Sequence, residues 1–257
     1  MGLQCKPKSK EIRQRAWDAL GAGSYWPFVG GNFVLAMITN FAMFVPGMLM
    51  IIVVCLAVAF GGESFSHILD ADLSEASDLY QLLAFSGVVV FASILVVIPL
   101  TYVFGFSSWG SGKMALAAAD RDFKFGLCVS GWGHGWKMGW TVMVQWTYLT
   151  LWTLLLIVPG ILKVFSYWMT TYVQIEHPDW GANRCIEESM RLMKGNRWRL
   201  FKLGISFIGW WFLLLLLAPF CLSGIAAFFL VPYPMTAFAC FYRQLLVEKG
   251  PAFDARI

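Results

Sequence analysis

The sequence predicts an all-α, polytopic membrane protein with six transmembrane helices and cytoplasmic interfacial amphipathic helices. Three observations predict it. Hydrophobic residues make up 59% of the 257 and charged residues only 13%, against about 25% charged in globular chains. The mean hydropathy is +0.66. Uncharged runs recur at the length needed to cross a bilayer, about 20 residues for about 30 Å of hydrocarbon.

The elements follow in order, within one membrane domain covering residues 1–257. Residues 1–28 form a basic N-terminal helix carrying Lys6, Lys8, Lys10, Arg13 and Arg15. The apolar stretch after Pro27 is too long for the core of a cleavable signal, so this segment is expected to be retained. Crossings are expected at about 31–60, with a bend at Pro46 and Gly47, then at 80–105, 139–158, 161–176, 203–220 and 222–242. The third and fourth are read as a hairpin turning at Pro159 and Gly160. An interfacial helix covers 180–194, starting behind Asp179 as N-cap and stopping at Gly195. Its apolar face is Ala182, Cys185, Ile186, Ser189, Met190 and Met193. Arg184 with Glu188, and Glu187 with Arg191, form i,i+4 pairs on the other face.

Orientation follows from the placement of Lys and Arg, which resist translocation. With both termini cytoplasmic, Lys163 alone of the 19 Lys and Arg residues falls outside. The loop at 61–79 carries Glu63, Asp70, Asp72, Glu75 and Asp78 and is read as external. Trp26, Trp109, Trp132, Trp136, Trp140, Trp180 and Trp198 fall at cytoplasmic ends, as an aromatic belt does. Three stretches share a glycine, a tryptophan and a proline, with Trp-to-Pro intervals of 20, 19 and 21 residues. Either duplication or bilayer thickness accounts for that outline.

The run Ile157-Val158-Pro159-Gly160-Ile161-Leu162-Lys163, then Glu188-Ser189-Met190-Arg191-Leu192-Met193-Lys194-Gly195-Asn196-Arg197-Trp198, and finally Phe241-Tyr242-Arg243, resembles an uncharacterised bacterial family of multi-span integral membrane proteins catalogued as a domain of unknown function. The likeness is dense from about 150 to 246 and looser before. It implies a helical bundle in the bacterial cytoplasmic membrane and supplies no reaction.

The chemistry is sparse. Six cysteines show no paired spacing and three histidines no ligand framework, so neither a metal site, a disulfide scaffold nor a cofactor is expected. No recognisable hydrolase signature occurs, and the chain is expected not to be an enzyme. Ser107 to Lys113 imitates a phosphate loop but lacks its first glycine and its final Ser or Thr. Gly131, Gly133, Gly135 and Gly139, interleaved with Trp132, His134 and Trp136, read as an interfacial bend. Two sets of residues remain as functional candidates. Thr141, Gln145, Tyr148, Tyr167 and Thr170 could line a wet cavity between the third and fourth crossings, or simply bond between helices. Arg191, Lys194, Arg197, Arg199 and Lys202 form a basic cluster that could bind anionic lipid or a protein partner. The expected role is organisation of lipid or a partner at the cytoplasmic face; the alternative is a carrier or passive channel for a small or amphiphilic molecule. No nucleic-acid partner is expected.

Overall fold

The computed structural model describes residues 9–70, 76–155, 157–217 and 223–249. Among these every regular element is a helix, as the apolar runs predict. Helix α1, Ser9–Ala19, buries Ile12, Ala16 and Ala19, spaced four and three residues apart on one face. The basic residues Arg13 and Arg15 share this short helix, while Lys6 and Lys8 lie outside the described residues. A π-helical turn, Leu20–Ser24, joins it to α2, and Gly23 in that turn has φ +94°, which favours glycine.

Two long helices follow: α2, Tyr25–Asp70, of 46 residues, and α3, Ala76–Ala119, of 44. At 1.5 Å per residue each exceeds 60 Å, about twice the hydrocarbon thickness. Helix α2 runs on through Pro46 and Gly47, where a bend is expected. The acidic stretch at 61–79 is helical at both ends, leaving only 71–75 between the helices, and those residues lie outside the described set. The phosphate-loop imitation lies inside α3 as ordinary helix.

After a 3₁₀ turn, Phe125–Val129, come α4, Gly135–Leu155, and α5, Ile157–Tyr167. The hairpin therefore turns before Pro159 and Gly160, both of which lie within α5. Gly160 faces α4, where a Cβ would stand 2.7 Å from Thr153 Cγ2. The expected segment 161–176 is not one helix. It breaks at Trp168 and Met169, and α6 is only Thr170–Glu176. Hydroxyls satisfy the carbonyls around the break: Ser189 donates to Ser166 O at 2.8 Å and Thr170 to Tyr167 O at 2.7 Å.

Helix α7, Ala182–Met193, falls within the helix expected at 180–194, with two corrections. Its N-cap is Gly181 rather than Asp179, with no side-chain cap bond. Arg191 pairs with Glu188 rather than Glu187, and Arg184 lies over the Trp180 ring at 4.0 Å. The buried residues are Cys185, Ile186, Ser189, Leu192 and Met193, so of the expected apolar face Ala182 and Met190 are only half-buried and Leu192 is added. Gly195, at φ +84°, ends it.

Helix α8, Arg197–Ile205, and α9, Ile208–Leu217, occupy the fifth expected segment. The bend between them falls at Ser206, whose hydroxyl donates to Leu203 O at 2.6 Å. The sixth divides at Val231 into α10, Ser223–Leu230, and α11, Pro232–Lys249. Pro219 lies outside the described residues. The three Trp-to-Pro stretches thus differ locally: one continuous helix, one hairpin, and one broken segment that leaves the described chain. Among the described residues no single helix is long and apolar enough to cross a membrane; the pair Arg197–Ile205 and Ile208–Leu216, bent by 40°, passes by length and composition.

The core gathers at the end of the bundle where the charged segments lie, around Phe28, Trp109, Met138, Met193, Leu200 and Tyr242. Away from it the helices carry their large apolar side chains outward: Phe41 is 78% exposed, Leu154 86% and Leu215 70%. Trp26, Trp132, Trp136, Trp140 and Trp198 are exposed as belt residues would be. Trp109 is not: it is buried and stacks on the half-buried His134 at 4.3 Å, which makes Trp109 a core group.

The glycines of 131–139 do not act together as a bend. Gly135 and Gly139 lie one turn apart on α4 and meet Gly105 of α3. A Cβ on Gly105 would overlap the Gly135 carbonyl, and one on Gly139 would overlap the Thr101 carbonyl. The two backbones touch because no side chain intervenes.

Candidate functional site

The chain reverses between α7 and α8 through Lys194, Gly195 and Asn196, and this turn brings cations from both helices to one place. Met190, Arg191, Lys194, Gly195, Arg197 and Trp198 line an open cleft of about 660 Å³. The C-terminal end of α11 holds the turn. Lys249 Nζ donates to the carbonyl oxygens of Arg191, Leu192 and Lys194 at 2.9, 3.0 and 3.0 Å. An ammonium has three donors, and here all three meet carbonyls at the negative end of α7.

Charge pairing then sorts the five basic candidates. Arg199 is turned inward, with both terminal nitrogens on Glu248 at 2.8 and 3.0 Å and one also on Asn196 Oδ1 at 2.9 Å. Arg191 is held by Glu188 at 2.6 Å, which keeps its pKa above the ordinary arginine value against the opposing effect of burial. Lys202 lies over the Trp198 ring at 5.6 Å. Lys194 and Arg197 reach the cleft, and neither has an ion pair among the described residues; Arg197 Nε is buried and unpartnered there. The structure therefore brings Arg191, Lys194 and Arg197 together and directs Arg199 elsewhere.

The five residues considered for a wet cavity are not gathered in one. Thr141 is buried and donates to Lys137 O of its own helix at 3.1 Å. Gln145 is half-buried, and the exposed Tyr148 reaches Asn183 Oδ1 on α7 at 3.3 Å. Tyr167 is buried, and Thr170 caps the break beside it. A cavity of about 350 Å³ exists instead between α3, α6, α9 and α11. It includes Thr171 but none of these five.

Sequence reasoning missed one further cluster. Arg243 on α11 joins the ends of α3 and α6: its Nε and Nη2 lie 2.9 and 2.5 Å from the Asp120 carboxylate, and Nη1 donates to Glu176. The hydroxyl of Tyr242 donates to the other Glu176 oxygen. These carboxylates raise the Arg243 pKa although burial acts to lower it. Phe241-Tyr242-Arg243 is among the motifs of the resemblance, and that was the available signal.

Fold and site together define an all-helical protein whose charged end is tied by α11 and opens into a basic cleft. Residues 134–249, from the start of α4 to Lys249, match a family described as a protein of unknown function (DUF975). The resemblance to an uncharacterised family holds over this segment, which contains the cleft, Arg243 and Lys249. Neither a curated protein nor a solved structure matches the chain.

Proposed function

We propose that the chain is a six-crossing protein of the bacterial cytoplasmic membrane, with both termini cytoplasmic, and that it acts without catalysis by holding anionic lipid headgroups in its basic cleft. The outward apolar side chains support the membrane placement. Exposed apolar patches beyond a few hundred Å² are rare on soluble monomers, and hydrocarbon removes the cost of about 25 cal/mol per Å² that water would impose on such surface. The six crossings rest on the uneven placement of the cations, with Lys163 alone of the 19 falling outside, and the bent α8–α9 pair is among them.

The observation that carries the lipid reading is the convergence of Lys194 and Arg197 beside the exposed Trp198 with no ion pair for either among the described residues. Cations near an anionic leaflet contribute about 1 kcal/mol each. Two therefore predict a preference of about 30-fold for anionic over zwitterionic lipid. A partner protein with an acidic segment would use the same cations and is the second occupant considered.

Native mass spectrometry of the protein released from mixed phosphatidylglycerol and phosphatidylcholine nanodiscs tests this. Retained lipid should be mainly phosphatidylglycerol, and the double reversal Lys194→Glu with Arg197→Glu should abolish that preference. Equal retention of both lipids by the unaltered protein, or an unchanged preference in the variant, would sink the reading.

A further inference from the structure

The cavity between α3, α6, α9 and α11 is chemically unlike the cleft. Its volume is about 350 Å³, and among the described residues no Asp, Glu, Lys, Arg or His lines it. The walls are rings and aliphatic groups, chiefly Trp168, Trp210, Trp211, Met235 and Phe238. Ser108, Ser111, Thr171 and Tyr172 bring hydroxyls to the lining, and the tryptophans bring indole N–H groups. Tyr172 and Gly112 are buried in its wall, whereas Trp168 and Trp211 are exposed at its edge. Beyond that edge, α9 presents Phe212, Leu213 and Leu215 outward, all exposed. The recess therefore runs from an outward apolar surface into the packed end of the bundle.

We infer that this recess takes a single acyl chain of a glycerolipid. The inference rests on the membrane placement proposed above and is independent of the basic cleft. The ring-lined part of the hollow offers water few partners, and left unfilled it forfeits the dispersion contacts of the rings that border it. At roughly 30 Å³ for a water-sized group, the volume corresponds to about a dozen chain carbons, within the usual range for ligand pockets. The hydroxyls select the form of the chain. Ser108, Thr171 and Tyr172 can donate to an ester carbonyl, Ser111 already donating to Ser108 O at 3.3 Å, but a free carboxylate would be buried without a cation among the described residues, which is costly. An esterified chain fits; a fatty acid anion does not. Gly112 lets α3 and α6 approach closely at the wall, since a Cβ there would stand 2.5 Å from Ile175 Cδ1 and 3.2 Å from Thr171 Cγ2.

The test is photolabelling of the full chain in phosphatidylcholine nanodiscs containing a small fraction of phosphatidylcholine with a diazirine in one acyl chain, with insertion sites mapped by peptide mass spectrometry. Label is expected on Trp168, Tyr172 and Phe238 as well as on the outward Leu213 and Leu215. Two filling variants from different helices, Ser111→Phe and Met235→Trp, should each reduce the inward label at least fivefold and leave the outward label unchanged. Label confined to Leu213 and Leu215, or inward label indifferent to both variants, would overturn the acyl-chain site while leaving the membrane placement standing. Absence of label from both sets would overturn the two together. A diazirine fatty acid that labels the recess more strongly than the phospholipid would overturn the assignment to an esterified chain.

Discussion

Replacing Gly139 with alanine adds one methyl group where the backbones of α3 and α4 touch. A Cβ there would stand 3.0 Å from the carbonyl carbon of Thr101 and overlap its oxygen, whereas carbon atoms in contact settle at about 3.5–4.0 Å. The obstacle is backbone, so no rotamer change relieves it, and α3 and α4 must part by roughly 1 Å along the seam they share with Gly105 and Gly135. Overpacking of this kind costs about 1–3 kcal/mol, offset by at most about 1 kcal/mol from the better helix propensity of alanine. For a chain of this size each kcal/mol moves the melting temperature by about 2–4 °C, so a net loss of about 1–2 kcal/mol lowers it by about 2–8 °C. Fluorescence-detected size-exclusion chromatography after a heating series in detergent measures the shift. Gly209→Ala is the control, because nothing lies within 4 Å of a Cβ there, and it should be neutral or slightly stabilising. If Gly139→Ala melts with Gly209→Ala, the close contact of α3 and α4 does not exist as described.

Three other outcomes follow from the charged end. Lys249→Met removes the ammonium that three carbonyls of the α7–α8 turn accept from and should cost about 1–2 kcal/mol, read as a lower melting temperature together with faster amide exchange at the end of α7. Arg243→Gln leaves Asp120 and Glu176 facing one another without their cation; because the side chains are 37% and 41% exposed for the Asp120 pair, the loss should stay near 1–2 kcal/mol in the same heating assay. Cys185 is fully buried, and burial pushes its thiol from 9.0 up to about 11. A raised thiol pKa keeps the group protonated and unreactive, so at pH 8 maleimide should modify Cys185 only after denaturation. The same shift means that its contribution to stability, present below about 9, is lost as pH rises toward 11.

Much of the local structure was legible because it depends on periodicity. The alternation of Cys185, Ile186, Ser189 and Met193 with charged residues defines α7 without reference to anything else, and the glycine at 195 marks its end. The break at Val231 follows from Pro232 at the first position of α11, which has no N–H to continue the ladder. The break at Trp168 was not legible: the helix stops there because distant or newly placed hydroxyls, Ser189 for Ser166 O and Thr170 for Tyr167 O, donate to the freed carbonyls. Nothing in an uncharged run announces such compensation. The cleft was half legible: the cations are obvious in sequence, but which of them remain available depends on Glu248 and Lys249, some fifty residues further along. Arg199 looks equivalent to Arg197 until Glu248 occupies it. Glycines 135 and 139 were misread for the same reason, since only the position of Gly105 on another helix turns them from a bend into a seam.

The side of the membrane on which the cleft opens bears most directly on the whole account. In a cysteine-free background, single cysteines at Lys194 and Glu63 can be probed with a membrane-impermeant maleimide on spheroplasts and again after lysis. The account predicts that position 63 is modified in intact spheroplasts and position 194 only once they are broken. Modification of both from the same side would contradict the arrangement of crossings, and with it the assignment of the basic cleft to the cytoplasmic leaflet.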